Sequence, residues 1–416
     1  MLEELIRRRK VFIDTMPENS IALIFSGKEI RCSADEVYPF KFDNSFYYLT
    51  GIRQADTILM ICKNSLEIKV KLFIQKFDAI KEVWTGKRLK SSEVKDISGI
   101  NDVYFIEEFR DKLEKNIEEM NSNTTILLDF ESAVNLGDFG EFVSVANLKN
   151  QLENQFSKIV VEDCSKTLIT MRMVKSDFEI ENLRKAIANT DKGLKAILAN
   201  LKPGKYEYEM ANLFKYTISL ENNAMLSFNT IAASGSNAVI LHYPNPMSQM
   251  QNNDLILFDL GADHEGYKAD ISRTYPINGK FTNEQKEIYE IVLACNKRII
   301  NMIKPGLTIA ELQKETREFL GNELVKLGLL KDANDINKYY YHNVSHHLGL
   351  DTHDISLREM PLQRGNVITV EPGLYIKELG IGIRIEDDVL VTEDGSECLS
   401  KEIIKEVNDI ELIMNK

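Results

Sequence analysis

Between Leu255 and Thr274 the chain reads LILFDLGADHEGYKADISRT. Two apolar or β-branched runs flank a polar stretch containing Gly266, a pattern that predicts a hairpin. A turn centred on His264 and Glu265 would set Asp259 directly opposite Asp270, with Cβ atoms roughly 4.5–5.5 Å apart on one face. Like charges there repel, and neighbours such as Leu257 and Phe258 imply low exposure, which raises the cost of charge. Any fold must resolve this conflict by one or two divalent cations, by a protonated aspartate, or by a register that separates the pair.

Three further segments carry chemically capable residues at costly positions. His342–Asp354 reads HNVSHHLGLDTHD and holds four of the six histidines. A lone histidine suits a structural role, whereas four around Gly349 point to a site, since imidazole is a neutral nitrogen ligand and a capable acid or donor. In Val367–Tyr375, VITVEPGLY, an apolar β-run ends on Glu371 and Pro-Gly stops it. A carboxylate there needs a partner. In Gly382–Val391, GIRIEDDVLV, period-two alternation puts Arg384 and Glu386 on one face, which taken alone reads as a surface ion pair.

Together these segments offer Asp259, Asp270, His346, Glu371 and Glu386 as metal ligands. Two divalent ions would neutralise four carboxylates. One nitrogen among many oxygens favours manganese, with cobalt or zinc as alternatives. Ions about 3.5–4 Å apart would clamp and deprotonate a bridging water, giving a hydroxide near neutral pH.

Bulk properties narrow the alternatives. A chain of 416 residues exceeds one ordinary core and implies two domains. Its formal net charge of −13 argues against nucleic acid as a partner, because phosphate binding needs a basic surface. The five cysteines Cys32, Cys62, Cys164, Cys295 and Cys398 are scattered and form no C-x-x-C pair, which fits a reducing compartment. The first residues lack the apolar core of a signal peptide, and no run approaches the ~20 apolar residues of a membrane helix. A cytoplasmic location is expected, with no membrane partner.

Along the first half, strands are predicted at Ser20–Phe25, Ser45–Thr50, Thr57–Cys62, Ile68–Ile74 and Thr125–Phe130, and helices at Glu3–Thr15 and Glu107–Asn121. This describes an α/β domain with a mixed sheet over residues 1–165. A linker is expected at 166–175. The capping box Ser176-Asp177-Phe178-Glu179 then starts an amphipathic helix to about Asn200 and a second domain, 176–416. That domain contains an echo: Lys202-Pro203-Gly204 precedes Glu209-Met210, and Lys304-Pro305-Gly306 precedes Glu311-Leu312 at the same offset. It reads either as two similar helix–turn–helix connections or as a duplication with pseudo-two-fold symmetry.

The ordered motifs L-x-D-x-G (Leu257 to Gly261), A-D-I-S-R-T (Ala269 to Thr274), H-x-x-S-H-x-L-G-L-D-x-H-D (His342 to Asp354), V-E-P-G-L-Y (Val370 to Tyr375) and G-I-R-I-E-D-D (Gly382 to Asp388) resemble the α+β "pita-bread" metallopeptidase family. That family includes aminopeptidase P, prolidase and methionine aminopeptidase. The N-terminal half is also similar to the aminopeptidase P subgroup, through Arg7-Arg8-Arg9, the run from Ser33 through Asp35 to Phe40, and Asn44 to Gly51. Methionine aminopeptidases lack this domain, and creatinase lacks the metal ligands.

The resemblance implies roles. Asp259 would bind one metal, Asp270 and Glu386 would bridge two, and His346 would bind the first. Glu371 would bind metal and shuttle the proton. His242 and His353 would contact the scissile carbonyl and its oxyanion. His342, Arg384, Tyr375 and Asp35 would serve substrate binding. Trp84 would wall a neighbouring subunit's pocket, which implies a homodimer or homotetramer. The implied reaction removes the residue before a penultimate proline. Prolidase action on Xaa-Pro dipeptides, or a non-catalytic binding role, are the rivals. One departure is Asn343, where the family usually has glycine; asparagine tolerates a left-handed backbone best after glycine, so a local adjustment is expected near His342.

Overall fold

The computed structural model describes residues 1–120, 123–132 and 145–415. It divides into two units, Met1–Thr170 and Met171–Lys416. The division falls inside the helix Ser165–Met173, so the stretch read as a linker at 166–175 is mostly helical.

In the first unit, a six-stranded mixed sheet runs in the order Asp102–Phe105, Ile68–Ile74, Ile58–Lys63, Ser20–Phe25, Thr124–Leu128, Ile159–Asp163. The central three strands pair antiparallel and the outer pairs are parallel. Leu23, Met60, Phe73 and Ile126 bury one face of it together with Leu148 and Leu152 of a covering helix. The expected helices appear as Leu2–Thr15 and Phe109–Glu119, the latter led by a 3₁₀ turn; Asn121 lies outside the described residues.

One expected strand is not a strand. Residues Asn44–Thr50 form a helix, because the Asp43 side chain accepts from the Phe46 amide at its start and Gly51 closes it at φ 70°. Ser45 to Thr50 are all buried, so no alternation survives to report a sheet face. Cap chemistry and surroundings outweigh the aromatic β-preference.

The second unit is built twice. Helix Asp177–Asn200, opened by the Ser176 capping box, is followed by helix Glu207–Ser219 and then by the antiparallel strands Ile231–Ser234, Leu255–Leu260 and Ile271–Pro276. Helices Asn283–Met302 and Ile309–Lys326 are likewise followed by the antiparallel strands Val367–Val370, Asp387–Val391 and Ser396–Cys398. The echo extends to hydrogen bonding. The amide of Gly204 (φ 88°) donates to Met250 O, whose own amide donates to Lys205 O. Gly306 (φ 94°) does the same with Leu362, whose amide donates to Leu307 O. Met250 and Leu362 each lie five residues before a sheet strand. Repetition of backbone bonds at matching offsets favours duplication over coincidence.

The aspartate hairpin forms, but in another register. Asp259 pairs with Ser272 and Asp263 with Lys268, and the turn is Glu265-Gly266, both residues with φ positive at 54° and 89°. That geometry belongs to a two-residue primed turn, which Gly266 favours and a turn centred on His264-Glu265 would forgo. Asp270 is therefore diagonal to Asp259. A two-residue shift leaves both on the same face, as side chains alternate with period two.

Candidate metal centre

Backbone pairing brings the separate motifs together. The segment carrying His346 runs beside the strand Val367–Val370: Leu348 N donates to Val367 O, Thr369 N to His346 O, and Glu371 N to Val344 O. His346 and Glu371 thus become neighbours. Across the duplication, Glu386 N donates to Ser272 O at 3.0 Å, and the Arg384 amide donates to Thr274 Oγ1. This fastens the Glu386 segment to the aspartate hairpin.

The result is a cluster. Ligand atoms of Asp270, His346 and Glu386 all lie within 4.8 Å of one another. His346 Nε2 is 3.4 Å from Asp270 Oδ2 and 3.5 Å from Glu371 Oε1. Asp259 stands at the edge of the group, held by Arg384 at 2.7 Å. Asp270 and Glu386 are 4% and 2% exposed, and Arg384 is 4% exposed. The surface ion pair expected of Arg384 and Glu386 is therefore absent. Both are buried, Glu386 lies just beyond the strand Ile381–Arg384, and the arginine pairs with Asp259 instead.

Burial, then the charges of Glu386, Asp259 and Asp388, hold the Asp270 carboxyl well above the usual range. Burial and Glu386 do the same to Glu371. Glu386 is pushed up to about 7 by burial and by Asp259. Asp388, whose Oδ2 accepts the Asp270 amide, is also raised, by burial and then Glu386. Buried Asp259 Oδ1 and Asp388 Oδ1 find no hydrogen-bond partner among the described residues.

This group fits divalent cations. Oxygen-rich, mutually repelling carboxylates gain most from a positive centre. His346 is already set for it: its Nδ1 donates to His347 O at 3.0 Å, which leaves the Nε2 lone pair facing the carboxylates.

Around the cluster lie the other expected residues. The Tyr375 hydroxyl accepts from Arg384 Nη1 at 3.0 Å and meets His342 Nε2 at 2.8 Å. His342 Nδ1 donates to Asn343 O, and burial pushes its pKa down to about 4, so it is neutral at pH 7. Asn343 does not adopt a positive φ, so the anticipated left-handed backbone is not needed there. His353 keeps one side open to solvent, with its ring centroid 4.3 Å from that of His346; partial desolvation, then the neighbouring His346, lower its pKa. His242 is exposed on the irregular segment between Ser234 and Leu255, close enough for its charge to act on both His342 and His353. Trp84 and Asp35 belong to the first unit. Trp84 is 80% exposed on helix Ala79–Thr85, and Asp35 is exposed at the tip of the small hairpin Arg31–Ser33/Glu36–Val37.

Several contributors escaped sequence reasoning. Ser272 Oγ donates to Glu386 Oε2 and accepts from Arg384 Nε, each at 2.7 Å. Gln313 accepts from the Val344 amide and donates to His342 O, pinning the histidine segment. Ser272 at least sits inside the A-D-I-S-R-T motif, whereas Gln313 carries no local signal.

A buried, cation-seeking carboxylate group with histidines beside it, in a duplicated α+β unit, defines a metal-dependent hydrolase. Residues 181–393 match Metallopeptidase family M24, and residues 5–127 match the aminopeptidase P N-terminal domain. The Xaa-Pro aminopeptidase of Haemophilus influenzae is 36% identical over 98% of this chain and 96% of its own length. A Bacillus anthracis structure described as an aminopeptidase P superposes with a TM-score of 0.94 at 38% identity, covering 100% of this chain and 98% of that one. Escherichia coli aminopeptidase P with the inhibitor Pro-Leu gives 0.89 at 32% identity, with the same coverage. The chain belongs to metallopeptidase family M24, in its two-domain aminopeptidase P form.

Proposed function

We propose that this protein is an Xaa-Pro aminopeptidase, hydrolysing the bond between the first residue of a peptide and a proline at the second position. The convergence of Asp270, His346 and Glu386, with Glu371 and Asp259 beside them, carries this reading. These five residues would hold two divalent ions, manganese first. Such ions supply Lewis acidity and bring the ionisation of water to near-neutral pH.

The chain's own groups do the rest. Glu371, whose Oε1 lies 3.5 Å from His346 Nε2, would take the proton released by the attacking water and pass it to the leaving proline nitrogen. His353 and His242 donate hydrogen bonds to the scissile carbonyl oxygen as negative charge develops. His342 is kept neutral by burial and oriented by Tyr375, and lines the pocket beside them. Arg384 holds Asp259, Tyr375 and, through Ser272, Glu386 in one frame. Proline has no amide hydrogen, so its pocket needs apolar surface and no dedicated acceptor. Exposed Trp84 supports a homo-oligomer in which it walls a neighbouring chain's pocket, with Asp35 on the same domain serving substrate. The free, dispersed cysteines support a cytoplasmic location. Among the described residues no helix is long and apolar enough to cross a membrane.

A peptide panel tests the reading. With manganese added, Xaa-Pro-Xaa tripeptides should release their first residue, and the same peptides with alanine in place of proline should not. Preference for Gly-Pro over the tripeptide would make the enzyme a prolidase, and inertness toward both would refute hydrolysis.

A further inference from the structure

Glu207 is a carboxylate with no exposed surface at the first turn of helix Glu207–Ser219. Among the described residues its hydrogen-bond partners are all neutral donors. Its Oε1 accepts from Ser234 N and Ser234 Oγ, both at 2.7 Å, and from Asn237 Nδ2 at 3.0 Å. Its Oε2 accepts from Ser248 N at 2.9 Å and from the Tyr243 hydroxyl at 3.2 Å. Asn237 Nδ2 also reaches Tyr243 Oη and Ser248 Oγ.

These partners share one location. Ser234 ends the strand before the irregular segment that carries His242, Ser248 lies near the end of that segment, and Asn237 and Tyr243 lie within it. Tyr243 follows His242 directly, and Leu241 and Tyr243 pack against the cluster of Ile231, Ala233, Ala238, Leu257 and Tyr375. The segment opens with a short 3₁₀ helix, Gly235–Val239, and from Ile240 to Ser248, where His242 lies, it forms no helix or strand, so the bonds to the buried carboxylate tie its two ends together.

The duplication shows that the architecture does not require this residue. The equivalent first position of the second copy, three residues after Gly306, is Ile309. The acid is thus present in only one of the two copies.

We propose that Glu207 is a positioning residue for the reaction: it fixes the 235–248 segment so that His242 meets the scissile carbonyl. This rests on the role proposed for His242. Turnover of an Xaa-Pro tripeptide by the manganese-loaded enzyme tests it through a cycle of Glu207→Gln, His242→Ala and the double variant, with metal content and melting temperature measured for each. Glu207→Gln should lower kcat by about 10- to 100-fold, the scale on which small misplacements act, with KM nearly unchanged and full metal content. In the His242→Ala background the same change should cost less than threefold, because the group it positions is gone. An equal loss in both backgrounds, or wild-type kcat in Glu207→Gln, overturns the proposal. Wild-type turnover in His242→Ala overturns the role of the histidine itself, and this proposal with it. If Glu207→Gln does not fold, Tyr243→Phe, which removes one donor and keeps the packed ring, carries the same comparison.

Discussion

Glu386 shows how a residue's cost becomes its use. Its folded pKa of about 7 lies above the ordinary value of 4.5, so the folded chain binds this proton more tightly than the unfolded chain does. The contribution to stability is complete below about pH 4.5 and is lost as pH rises through 7. The metal-free protein should therefore melt at lower temperature at pH 7.5 than at pH 5.5. Cations displace the same protons, so manganese affinity should rise over that interval, and titration calorimetry should record proton release. An affinity flat with pH would contradict this. Glu371→Gln keeps the shape and removes the proton shuttle, so kcat should drop about 10²–10⁴-fold, measured on a tripeptide. Residues of this kind were legible in the sequence because acids and histidines closing apolar runs are expensive without a purpose. Glu207, Ser272 and Gln313 were not. They act through hydrogen bonds to groups far along the chain, and of the three only Ser272, inside the A-D-I-S-R-T motif, carries any local signal.

The segment Asp351–Asp354 is anchored by charge rather than by a strand or helix. Arg172 Nη2 lies 2.6 Å from Asp354 Oδ1, and Lys175 Nζ lies 3.0 Å from Asp354 Oδ2, all three residues buried. Burial alone would raise the Asp354 pKa, but the two cations outweigh it and lower it. A lowered carboxylate stabilises above its unfolded pKa, and that stabilisation is lost as pH falls through its folded one. Arg172→Met should therefore destabilise the second unit by about 3–5 kcal/mol at pH 7, the usual consequence of breaking a buried pair. The deficit in urea unfolding should shrink toward acid. Elements were readable where a short apolar, β-branched run was bounded by polar residues, as in Ser20–Phe25 and Ile68–Ile74, whose bounds match the sequence reading. Reading failed where local chemistry overrode it: Asp43 and Gly51 turn an aromatic run into a helix, and Glu265-Gly266 shifts the hairpin by two residues. In the hairpin the face, which matters for the site, survived an error in register.

At the scale of the whole molecule, the first unit contributes none of the clustered ligands, yet helix Ala79–Thr85 leaves Ile80, Val83 and Trp84 largely exposed. Such a patch is stable in water only at a cost, and burying it between subunits removes that cost. Trp84→Ala should weaken self-association by roughly 2 kcal/mol or more, read from concentration-dependent light scattering, while leaving the melting temperature of the separated chain unchanged. The duplicated second unit is what unites four distant segments: the first repeat delivers Asp259 and Asp270, and the second delivers His346, Glu371 and Glu386. Sequence showed the repeat only as a faint Lys-Pro-Gly echo, because backbone hydrogen bonds such as Gly204 to Met250 and Gly306 to Leu362 leave no side-chain signature. The most direct test of the whole account is the metal content of chelator-stripped protein reloaded with manganese, for the wild type and for Asp270→Asn. Two ions per wild-type chain, fewer in the variant, and tripeptide cleavage that tracks occupancy are predicted. A wild-type chain that stays empty, or one that cleaves equally well without metal, would contradict it.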